Sequence, residues 1–236
     1  MNHERHERHE RHERHERHGS SLGRTWYLLR HGETEWNKAS RLQGQLDSPL
    51  TDAGRIQARA SAALVSRLGV DVIYASPLGR AQETVALMRE QMTQPVVDDD
   101  RLTEWSGGDW SGELHADIRV KWPAEWAAWD ADRYANRSPG GESFRDLIKR
   151  AMSFFDDVAP SPFTRVAIVG HGFMNRALAN VLLSLNPAET LAIRQGNDTV
   201  IRVTVEPGGR CVDYFVGDDG PRPGLPTEAP RVIEAG

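Results

Sequence analysis

Residues 25–32 read Thr-Trp-Tyr-Leu-Leu-Arg-His-Gly, a short apolar and aromatic run that ends in an arginine, a histidine and a glycine. Such a run predicts a buried β-strand over residues 25–29. The same arrangement returns later in the chain, where the apolar residues 166–169 lead into Gly170-His171-Gly172. Two histidine–glycine pairs therefore each follow directly on a predicted strand.

Helical patterns alternate with further strand patterns along the chain. Residues 71–75 predict a buried strand, and residues 199–205 and 211–216 predict a closing pair of strands around a Pro-Gly-Gly turn. Thr51 is a favourable helix cap, and Ser76-Pro77 predicts a cap followed by the first residue of the next helix. This alternation predicts the fold class, a three-layer α/β/α sandwich around a mostly parallel sheet. Apolar residues at helical spacing are Ile56, Ala60, Ala63, Leu64 and Leu68; Ala81, Val85, Met88 and Met92; Phe144, Leu147, Ile148, Ala151 and Phe155; and Met174, Ala177, Leu178, Val181, Leu182 and Leu185.

Charged side chains follow these strands at one predicted edge of the sheet. Arg30 and His31 leave the first strand, Arg80 lies near the start of a helix, and His171 leaves a later strand. Ligands of open α/β sheets bind at the carboxyl edge, where helix N-termini also favour anions. Two guanidiniums and two imidazoles at one point would hold a phosphoryl group, because the arginine fork pairs with phosphate oxygens.

A histidine in that position has a second use besides binding. Neighbouring cations disfavour the protonated imidazole, so its pKa should fall and a nucleophilic, neutral ring should remain near pH 7. One of the two histidines could then accept the phosphoryl group, and the other, if protonated, could stabilise charge on the transferring oxygens. The competing interpretation is ordinary surface chemistry at two strand ends.

The two ends of the chain differ in composition from its interior. Residues 3–18 repeat the triplet His-Glu-Arg without an apolar side chain, and residues 19–21 resemble a linker. We predict that residues 1–21 are a disordered expression tag and linker, with metal sensing by the clustered histidines as the alternative. Residues 22–217 form a single predicted domain, and residues 218–236 a flexible, Pro-rich tail.

Composition excludes several classes of protein. The 236 residues carry a net charge of −5, which argues against a nucleic-acid binder, and no apolar run approaches the length of a membrane span or a signal peptide. We therefore expect a cytoplasmic protein. The single cysteine, Cys211, forms no internal disulfide and is expected to be a small packing residue. Outside the tract the histidines are His31, His115 and His171, too scattered to predict a metal site.

Further motifs surround the two histidine–glycine pairs in a fixed order. They are Leu29-Arg30-His31-Gly32-Glu33-Thr34-Glu35-Trp36-Asn37, Arg41-Leu42-Gln43-Gly44, Ser48-Pro49-Leu50-Thr51, Tyr74-Ala75-Ser76-Pro77-Leu78-Gly79-Arg80, Leu102-Thr103-Glu104, Pro139-Gly140-Gly141-Glu142-Ser143 and Val169-Gly170-His171-Gly172. This ordered set resembles the histidine phosphatase (phosphoglycerate mutase-like) superfamily over residues 26–205. The resemblance implies a phosphomonoester hydrolase that needs neither metal nor cofactor and acts on a small phosphorylated metabolite.

The resemblance also implies a role for each matching residue. His31 would be the phosphorylated nucleophile and Glu104 the general acid and base. Arg30, Arg80 and His171 would hold the phosphoryl oxygens, and the phosphate pocket would be completed by Asn37, Gln43, Gly44 and the backbone N–H of Gly172. One position departs from the family pattern: Gly170 stands where a serine or threonine is common. The absence of that serine or threonine side chain could loosen the orientation of His171.

Alternatives remain open at this point. Cofactor-dependent phosphoglycerate mutases resemble one another in having an arginine and then a tyrosine shortly after the general acid. In this sequence those two positions hold Trp105 and Gly107. A non-catalytic module that binds a phosphorylated ligand, a metal-dependent hydrolase and a homodimer are also compatible with the sequence. Trp122, Trp126 and Trp129 lie at helical spacing, which favours a core-facing stripe over an aromatic lid that would prefer aromatic phosphomonoesters.

Overall fold

The computed structural model describes residues 23–227, and its centre is one seven-stranded sheet within that range. The prediction of a disordered tag over residues 1–21 lies outside the described residues, as does the end of the tail, residues 228–236. The strands are β1 Arg24–Arg30, β2 Val72–Ala75, β3 Val96–Asp98, β4 Arg165–Gly170, β5 Thr199–Glu206, β6 Gly209–Val216 and β7 Asp219–Pro223.

The sheet is parallel in one half and antiparallel in the other. In space the strands follow the order β3-β2-β4-β1-β5-β6-β7. The pairs β2–β3, β2–β4 and β1–β4 are parallel, whereas β1–β5, β5–β6 and β6–β7 are antiparallel. The prediction of a mostly parallel sheet is confirmed for the central strands, which carry the predicted site, and the closing hairpin β5–β6 is confirmed as well.

Helices cover both faces of this sheet, as the fold class predicts. They are α1 Glu35–Lys38, α2 Asp52–Arg67, α3 Gly79–Met88, α4 His115–Lys121, α5 Pro123–Ala131, α6 Phe144–Val158, α7 Gly172–Leu183 and α8 Pro187–Ala192, with short 3₁₀ turns at Asp100–Leu102 and Gly108–Trp110. Alternate residues of β1 serve two cores: Trp26 and Leu28 pack with α6 and α7, whereas Tyr27 and Leu29 pack with α2 and α3. Because side chains alternate across a strand, one strand fills both layers.

Local capping chemistry sets where the helices begin. The Thr51 hydroxyl accepts a hydrogen bond from Gly54 N, which confirms the predicted cap of α2. At α6, Ser143 and Asp146 form a reciprocal capping box. The predicted start of α3 at Ser76-Pro77 is wrong, because the helix begins at Gly79. The Ser76 hydroxyl accepts from Leu78 N at 3.3 Å, before the helix starts, and also lies 2.7 Å from His171 Nε2.

Two predictions near the C-terminus are wrong. The segment predicted as a flexible tail contains β7, which pairs with β6, and Arg194 N donates to Pro226 O at 2.7 Å. Proline is tolerated there because β7 is an edge strand among the described residues. On the open side of an edge strand no neighbouring strand needs the N–H that proline lacks. Cys211 is exposed on β6 and is not the packing residue that its size suggests.

The tryptophan-rich segment belongs to the core. Trp110 is fully buried, and Trp105 and Trp129 are 3% and 6% exposed. The rings of Trp110, Trp126 and Trp129 contact one another with centroids 5.2–5.6 Å apart. Pro123 occupies the first turn of α5 as predicted. The core-facing interpretation is therefore confirmed for Trp129, whereas Trp122 and Trp126 are half-buried and pack against the same core. The lid interpretation is wrong for Trp105, Trp110 and Trp129.

Among the helices of residues 23–227, none combines the length and the apolar character that a bilayer-spanning helix needs.

Candidate active site

The register of the parallel strands brings their carboxyl ends side by side. Arg30 is opposite Gly170 in the β1–β4 pair, and Ala75 is opposite Val169 in the β2–β4 pair. The residues that follow continue this pattern, since His31 N donates to Gly170 O and Ser76 N to Val169 O, both at 3.0 Å. The three strand ends thus place His31, Ser76 and His171 at one edge of the sheet.

The two histidines meet below the surface, as the sequence predicts. Their ring centroids are 5.2 Å apart, and His31 and His171 are 2% and 0% exposed. Arg80 joins them directly, because its Nε donates to His31 Nε2 at 3.2 Å. The convergence of both imidazoles with an arginine therefore holds in the structure.

Hydrogen bonds fix the tautomer of His31. Its Nδ1 lies 2.8 Å from Gly32 O, and a carbonyl oxygen only accepts, so Nδ1 carries the proton. Its Nε2 accepts from Arg80 Nε and is consequently the unprotonated nitrogen of a neutral ring. The lone pair of His31 Nε2 points toward the guanidinium, where an anionic group would also be drawn.

His171 has a different arrangement. Its Nε2 lies 2.7 Å from Ser76 Oγ, while its Nδ1 is buried without a hydrogen-bond partner in residues 23–227. His171 is also the residue that precedes α7, so its ring lies at a helix N-terminus. A buried nitrogen without a partner is costly unless a ligand supplies one, which makes Nδ1 available to a bound phosphoryl oxygen.

Burial dominates the protonation of both rings. It lowers the pKa of His31 well below its usual value, and Arg30 and Arg80 lower it further against a raising effect from Gly32. Burial likewise lowers the pKa of His171, followed by Arg80, His31 and Arg30. The predicted direction is confirmed for His31, although desolvation outweighs the cations. A protonated second histidine is not supported, because His171 is driven toward its neutral form.

Arg80 is held by an acceptor network that the sequence did not reveal. Its guanidinium donates to Leu46 O at 2.6 Å, Gly44 O at 2.8 Å and Asp47 Oδ1 at 2.9 Å. Asp47 also accepts from Gly79 N and Arg80 N, so it caps the true start of α3. Asp47 was missed because the helix was predicted to start at Ser76-Pro77 and no motif marks the acid.

Amide side chains support Arg30 and the β1 terminus. Arg30 Nη1 donates to Gln195 O at 2.9 Å, while its Nε is buried without a partner in residues 23–227. Asn175 Nδ2 donates to Leu29 O and to Gln195 Oε1, and Asn197 Nδ2 donates to His31 O at 2.7 Å. Burial lowers the pKa of Arg30, Glu104 raises it and Arg80 lowers it. These amides come from α7 and the loop before β5, which no local pattern connects to β1.

Glu104 lies at the N-terminus of α7. Its carboxylate accepts from Trp105 N at 2.9 Å, Met174 N at 3.1 Å and Phe173 N at 3.2 Å. Its carbonyl accepts from Gln45 Nε2 and Arg150 Nη2, which fixes the loop that carries it. A carboxylate at this helix end is stabilised by unpaired N–H groups and the helix dipole. The predicted general acid is therefore held at the first turn of α7, the helix that directly follows His171.

Two glycines flank His171 where side chains of the site approach the backbone. A Cβ on Gly172 would lie 3.6 Å from Arg30 Cζ and 3.9 Å from Glu104 Oε2, which shows how closely the cation and the acid approach one backbone position. A Cβ on Gly170 would lie 2.8 Å from Asn175 Oδ1, closer than real contacts allow. The departure from the family pattern at Gly170 is thus explained by Asn175, whose amide fills that space.

The remaining predicted pocket residues are placed less directly. Asn37 serves the capping box of α1, where its Oδ1 accepts from Thr34 N. Gln43 is 7% exposed, and its Oε1 is buried without a partner in the described range. Gly44 contributes its carbonyl to Arg80. Phosphate binding by Asn37, Gln43, Gly44 and the N–H of Gly172 stays a prediction.

Within residues 23–227, no three His, Cys, Asp or Glu side chains are grouped closely enough to hold an ion.

Comparison with known proteins agrees with this geometry. The sequence profile of the histidine phosphatase superfamily (branch 1) matches residues 26–216. Phosphoserine phosphatase 1 of Hydrogenobacter thermophilus is 34% identical over 160 residues, which cover 67% of this chain and 76% of that protein. A 2,3-bisphosphoglycerate-dependent phosphoglycerate mutase of Azorhizobium caulinodans is 37% identical over 174 residues, 70% of this chain and 84% of that protein.

A solved structure is similar in its fold as well. Mycobacterial glucosyl-3-phosphoglycerate phosphatase in complex with VO3 superposes with a TM-score of 0.69 and 34% identity, over 76% of this chain and 90% of that chain.

Proposed function

The chain belongs to the histidine phosphatase superfamily, and from this premise we propose that it hydrolyses small phosphorylated metabolites through a phosphohistidine at His31, without a metal ion. The observation that carries the proposal is the neutral His31 ring, whose unprotonated Nε2 faces Arg80 in a buried, cationic site. Neutral imidazole is a nucleophile, and the surrounding cations attract the phosphoryl group it would attack.

The reaction follows from the positions of these groups. The lone pair of His31 Nε2 forms the N–P bond while the P–O bond to the leaving group breaks, and Glu104 gives its proton to the leaving oxygen. Glu104 takes up the proton for the first step together with the incoming phosphate dianion, whose charge opposes that of the carboxylate form. In the second step the Glu104 carboxylate takes a proton from water. The water oxygen bonds to phosphorus as the N–P bond breaks, and inorganic phosphate leaves.

Positive charge at the site stabilises the transferring group. Arg30 Nε is a buried donor without a partner in the described part of the chain. His171 Nδ1 also lacks a partner there and is a donor when the Ser76 hydroxyl donates to Nε2, so both atoms suit phosphoryl oxygens. Arg80 Nε donates a hydrogen bond to the lone pair of His31 Nε2. This hydrogen bond would shift to a phosphoryl oxygen when His31 attacks phosphorus. Phosphoryl transfer needs positioning and charge neutralisation above all, and these residues supply both.

Hydrolysis is favoured over mutase activity by the residues after Glu104. Trp105 is buried, donates its indole N–H to Glu142 O and stacks on Phe173 at 5.2 Å. A Cβ on Gly107 would lie 2.6 Å from Leu42 Cδ2, so a larger side chain there would have to displace Leu42. The arginine and tyrosine that the mutase resemblance requires therefore have no counterpart. The mutase relative keeps phosphoglycerate mutase as the second candidate.

A metabolite panel tests this proposal. Phosphate release is measured for wild type and His31→Ala, each with and without a chelator, and mutase activity is assayed on 3-phosphoglycerate. We expect release by wild type that survives the chelator and is lost in His31→Ala, together with an acid-labile phosphoprotein in wild type alone. Equal turnover by His31→Ala would contradict the nucleophile, and binding of esters without turnover would favour a non-catalytic module.

Glu104→Gln examines the acid separately. It should lower kcat by about 10²–10⁴-fold for alkyl phosphates, since a poor leaving oxygen needs a proton. The loss should be much smaller for p-nitrophenyl phosphate, whose leaving group is stable as an anion. An identical effect on both substrates would count against the acid role.

Two further parts of the proposal concern the protein in the cell. We place it in the cytoplasm, where the exposed thiol of Cys211 would remain reduced. A homodimer also remains a prediction, which sedimentation of the purified protein would test.

A further inference from the structure

Glu104 lies in residues 101–106, which we call the acid segment. Its first two residues end the 3₁₀ turn Asp100–Leu102, and the others form no helix or strand. Backbone groups in such a segment lack helix or sheet partners, so side chains must supply partners if the segment is to keep one conformation. A general acid depends on that conformation, because a displacement of about 1 Å can lower a rate by about 10²-fold.

One side chain of α6 binds three carbonyl groups of the acid segment. Arg150 Nη1 donates to Arg101 O at 2.8 Å and to Thr103 O at 2.9 Å. Its Nη2 donates to Glu104 O at 3.3 Å. Because a guanidinium holds its donors in one plane, these hydrogen bonds fix the three peptide groups relative to one another.

Glu142 binds the other end of the acid segment. Its carboxylate accepts from Ser106 N at 2.8 Å, and its own N–H donates to Ser106 O at 3.0 Å. Glu142 O accepts from the indole N–H of Trp105 at 2.6 Å. Glu142 directly precedes Ser143, the cap of α6, so the start of this helix is bonded to the two residues that follow Glu104.

Arg150 and Glu142 are joined in a bidentate pair. Arg150 Nε donates to Glu142 Oε1 at 3.0 Å, and Nη2 donates to Glu142 Oε2 at 2.9 Å. Their side chains are 21% and 22% exposed, so the pair is mostly shielded from water. The two carboxylate bonds and the three carbonyl bonds match the five N–H donors of a guanidinium, which leaves none for a ligand.

The pair also touches the helix that holds the Glu104 carboxylate. Arg150 Nη1 lies 3.9 Å from Met174 Sδ, and Met174 N donates to that carboxylate at 3.1 Å. Helices α6 and α7 share one apolar core. The backbone of Glu104 is therefore held from α6, while its carboxylate is held from α7.

We propose that Arg150 and Glu142 are positioning residues for the general acid: their pair sets the place of Glu104, and its loss impairs proton transfer to the leaving oxygen. This inference rests on the proposed phosphatase function and adds two residues to its machinery. Two other roles predict different results. Arg150 would act through charge alone if its positive field were what matters, since it is among the groups that lower the pKa of His171. The pair would be purely structural if it served stability alone.

Two variants and two esters separate these roles. Arg150→Lys keeps the positive charge and removes the fork. We expect kcat for glycerol 3-phosphate to fall by about 10–10²-fold, as for a displaced catalytic group. For p-nitrophenyl phosphate, whose leaving group is stable as an anion, kcat should fall by less than about threefold. Glu142→Gln keeps the shape of its side chain and should show the same selectivity with a smaller loss.

A double-mutant cycle and amide hydrogen exchange complete the test. In a Glu104→Gln background, Arg150→Lys should have almost no further effect on kcat for glycerol 3-phosphate. Exchange should become faster in residues 101–106 of Arg150→Lys. Arg202→Lys is the matched control, because Arg202 forms a similar bidentate pair with Asp213 in the β5–β6 hairpin. It should leave both the ratio of the two rates and the exchange of the acid segment unchanged.

The outcomes distinguish the proposal from its alternatives. Equal losses on both esters would make the pair purely structural, and full activity in Arg150→Lys would reduce Arg150 to a charge; either result overturns the proposal. If Arg150→Lys does not fold, Glu142→Gln carries the same comparison. If Glu104→Gln itself affects both esters equally, or wild type releases no phosphate, the proposed function fails instead. Exchange of the acid segment in the two variants still shows in that case whether the pair holds it.

Discussion

The two histidine–glycine junctions have nearly the same sequence and quite different surroundings. At the end of β1, His31 Nδ1 donates to the neighbouring Gly32 carbonyl and Nε2 accepts from Arg80. At the end of β4, His171 Nε2 pairs with the distant Ser76 hydroxyl and Nδ1 has no partner within residues 23–227. One ring therefore presents a lone pair to the site, whereas the other can present a donor. The difference shows that a strand–His–Gly pattern places an imidazole but does not assign its role.

Burial is the feature that the two junctions share. Both rings are almost completely enclosed, and burial is the largest cause of the low pKa of each. Two neutral imidazoles beside Arg30 and Arg80 avoid the repulsion that four cations would create. The site thus combines two fixed charges with two groups whose hydrogen bonds determine what they do.

Replacing each histidine in turn should have the largest effect and should separate their roles. His31→Gln removes the nucleophile, so we expect kcat to fall by at least about 10³-fold and no phosphoprotein to form. His171→Gln removes one donor to the phosphoryl group, so kcat should fall by about 10²-fold. Quench-flow trapping with ³²P-labelled substrate should still find phosphoprotein in this second variant. If trapping instead fails in His171→Gln and succeeds in His31→Gln, the assignment is reversed.

Ser76→Ala should have the next largest effect. Without the hydroxyl, His171 Nε2 loses its partner and the proton is no longer directed to one nitrogen. We expect kcat to fall by about tenfold, the usual range for one buried hydrogen bond. In a His171→Gln background the same substitution should have almost no effect. Additive losses in this double-mutant cycle would show that Ser76 acts independently of His171.

The shared burial predicts a pH dependence of stability. Each folded histidine has a pKa well below 6.5, so the unfolded chain binds protons that the folded chain does not. The free energy of unfolding should therefore be highest above about pH 6.5 and should fall below it by up to about 1.4 kcal/mol per pH unit for each histidine. Urea unfolding at pH 7.5, 6.5 and 5.5 measures this slope. His31→Gln and His171→Gln should each reduce it, and parallel curves for wild type and variants would contradict the prediction.

The smallest expected effect concerns the glycine before His171. Gly170→Ser places a Cβ 2.8 Å from Asn175 Oδ1 and should displace that amide from Leu29 O and Gln195 Oε1. We expect a loss of about 1–3 kcal/mol in stability, as for other overpacked sites, and a few-fold lower kcat/KM. Gly208→Ser is the control, since nothing lies within 4 Å of its Cβ position. Unchanged melting and kinetics in Gly170→Ser would show that Asn175 has room to move.

Much of the fold could be predicted because its signals are local. Continuous apolar runs predicted β1, β2 and β4, and helical spacing predicted the buried stripes of α3, α6 and α7. The helix cap at Thr51 was correct, but the predicted stripe of α2 is wrong, because Ile56 is 68% exposed and the buried face carries Ala58, Ala62 and Val65 instead. Ser76 was misinterpreted as a helix cap, since serine before proline has the same local pattern in both roles. Asp47, Asn175 and Gln195 were missed because their partners are distant in sequence. Strand β7 was missed because its prolines resemble those of a loose tail.

The sequence alone determined that an arginine and two histidines follow parallel strands, because side-chain periodicity and strand ends are properties of short segments. It also determined which side chains could carry charge toward a phosphoryl group. Only the tertiary structure decided which imidazole offers a lone pair and which offers a donor. Gly32 O and Arg80 fix the tautomer of His31, the Ser76 hydroxyl pairs with His171 Nε2, and the low pKa of each ring comes from burial by the folded sheet and helices.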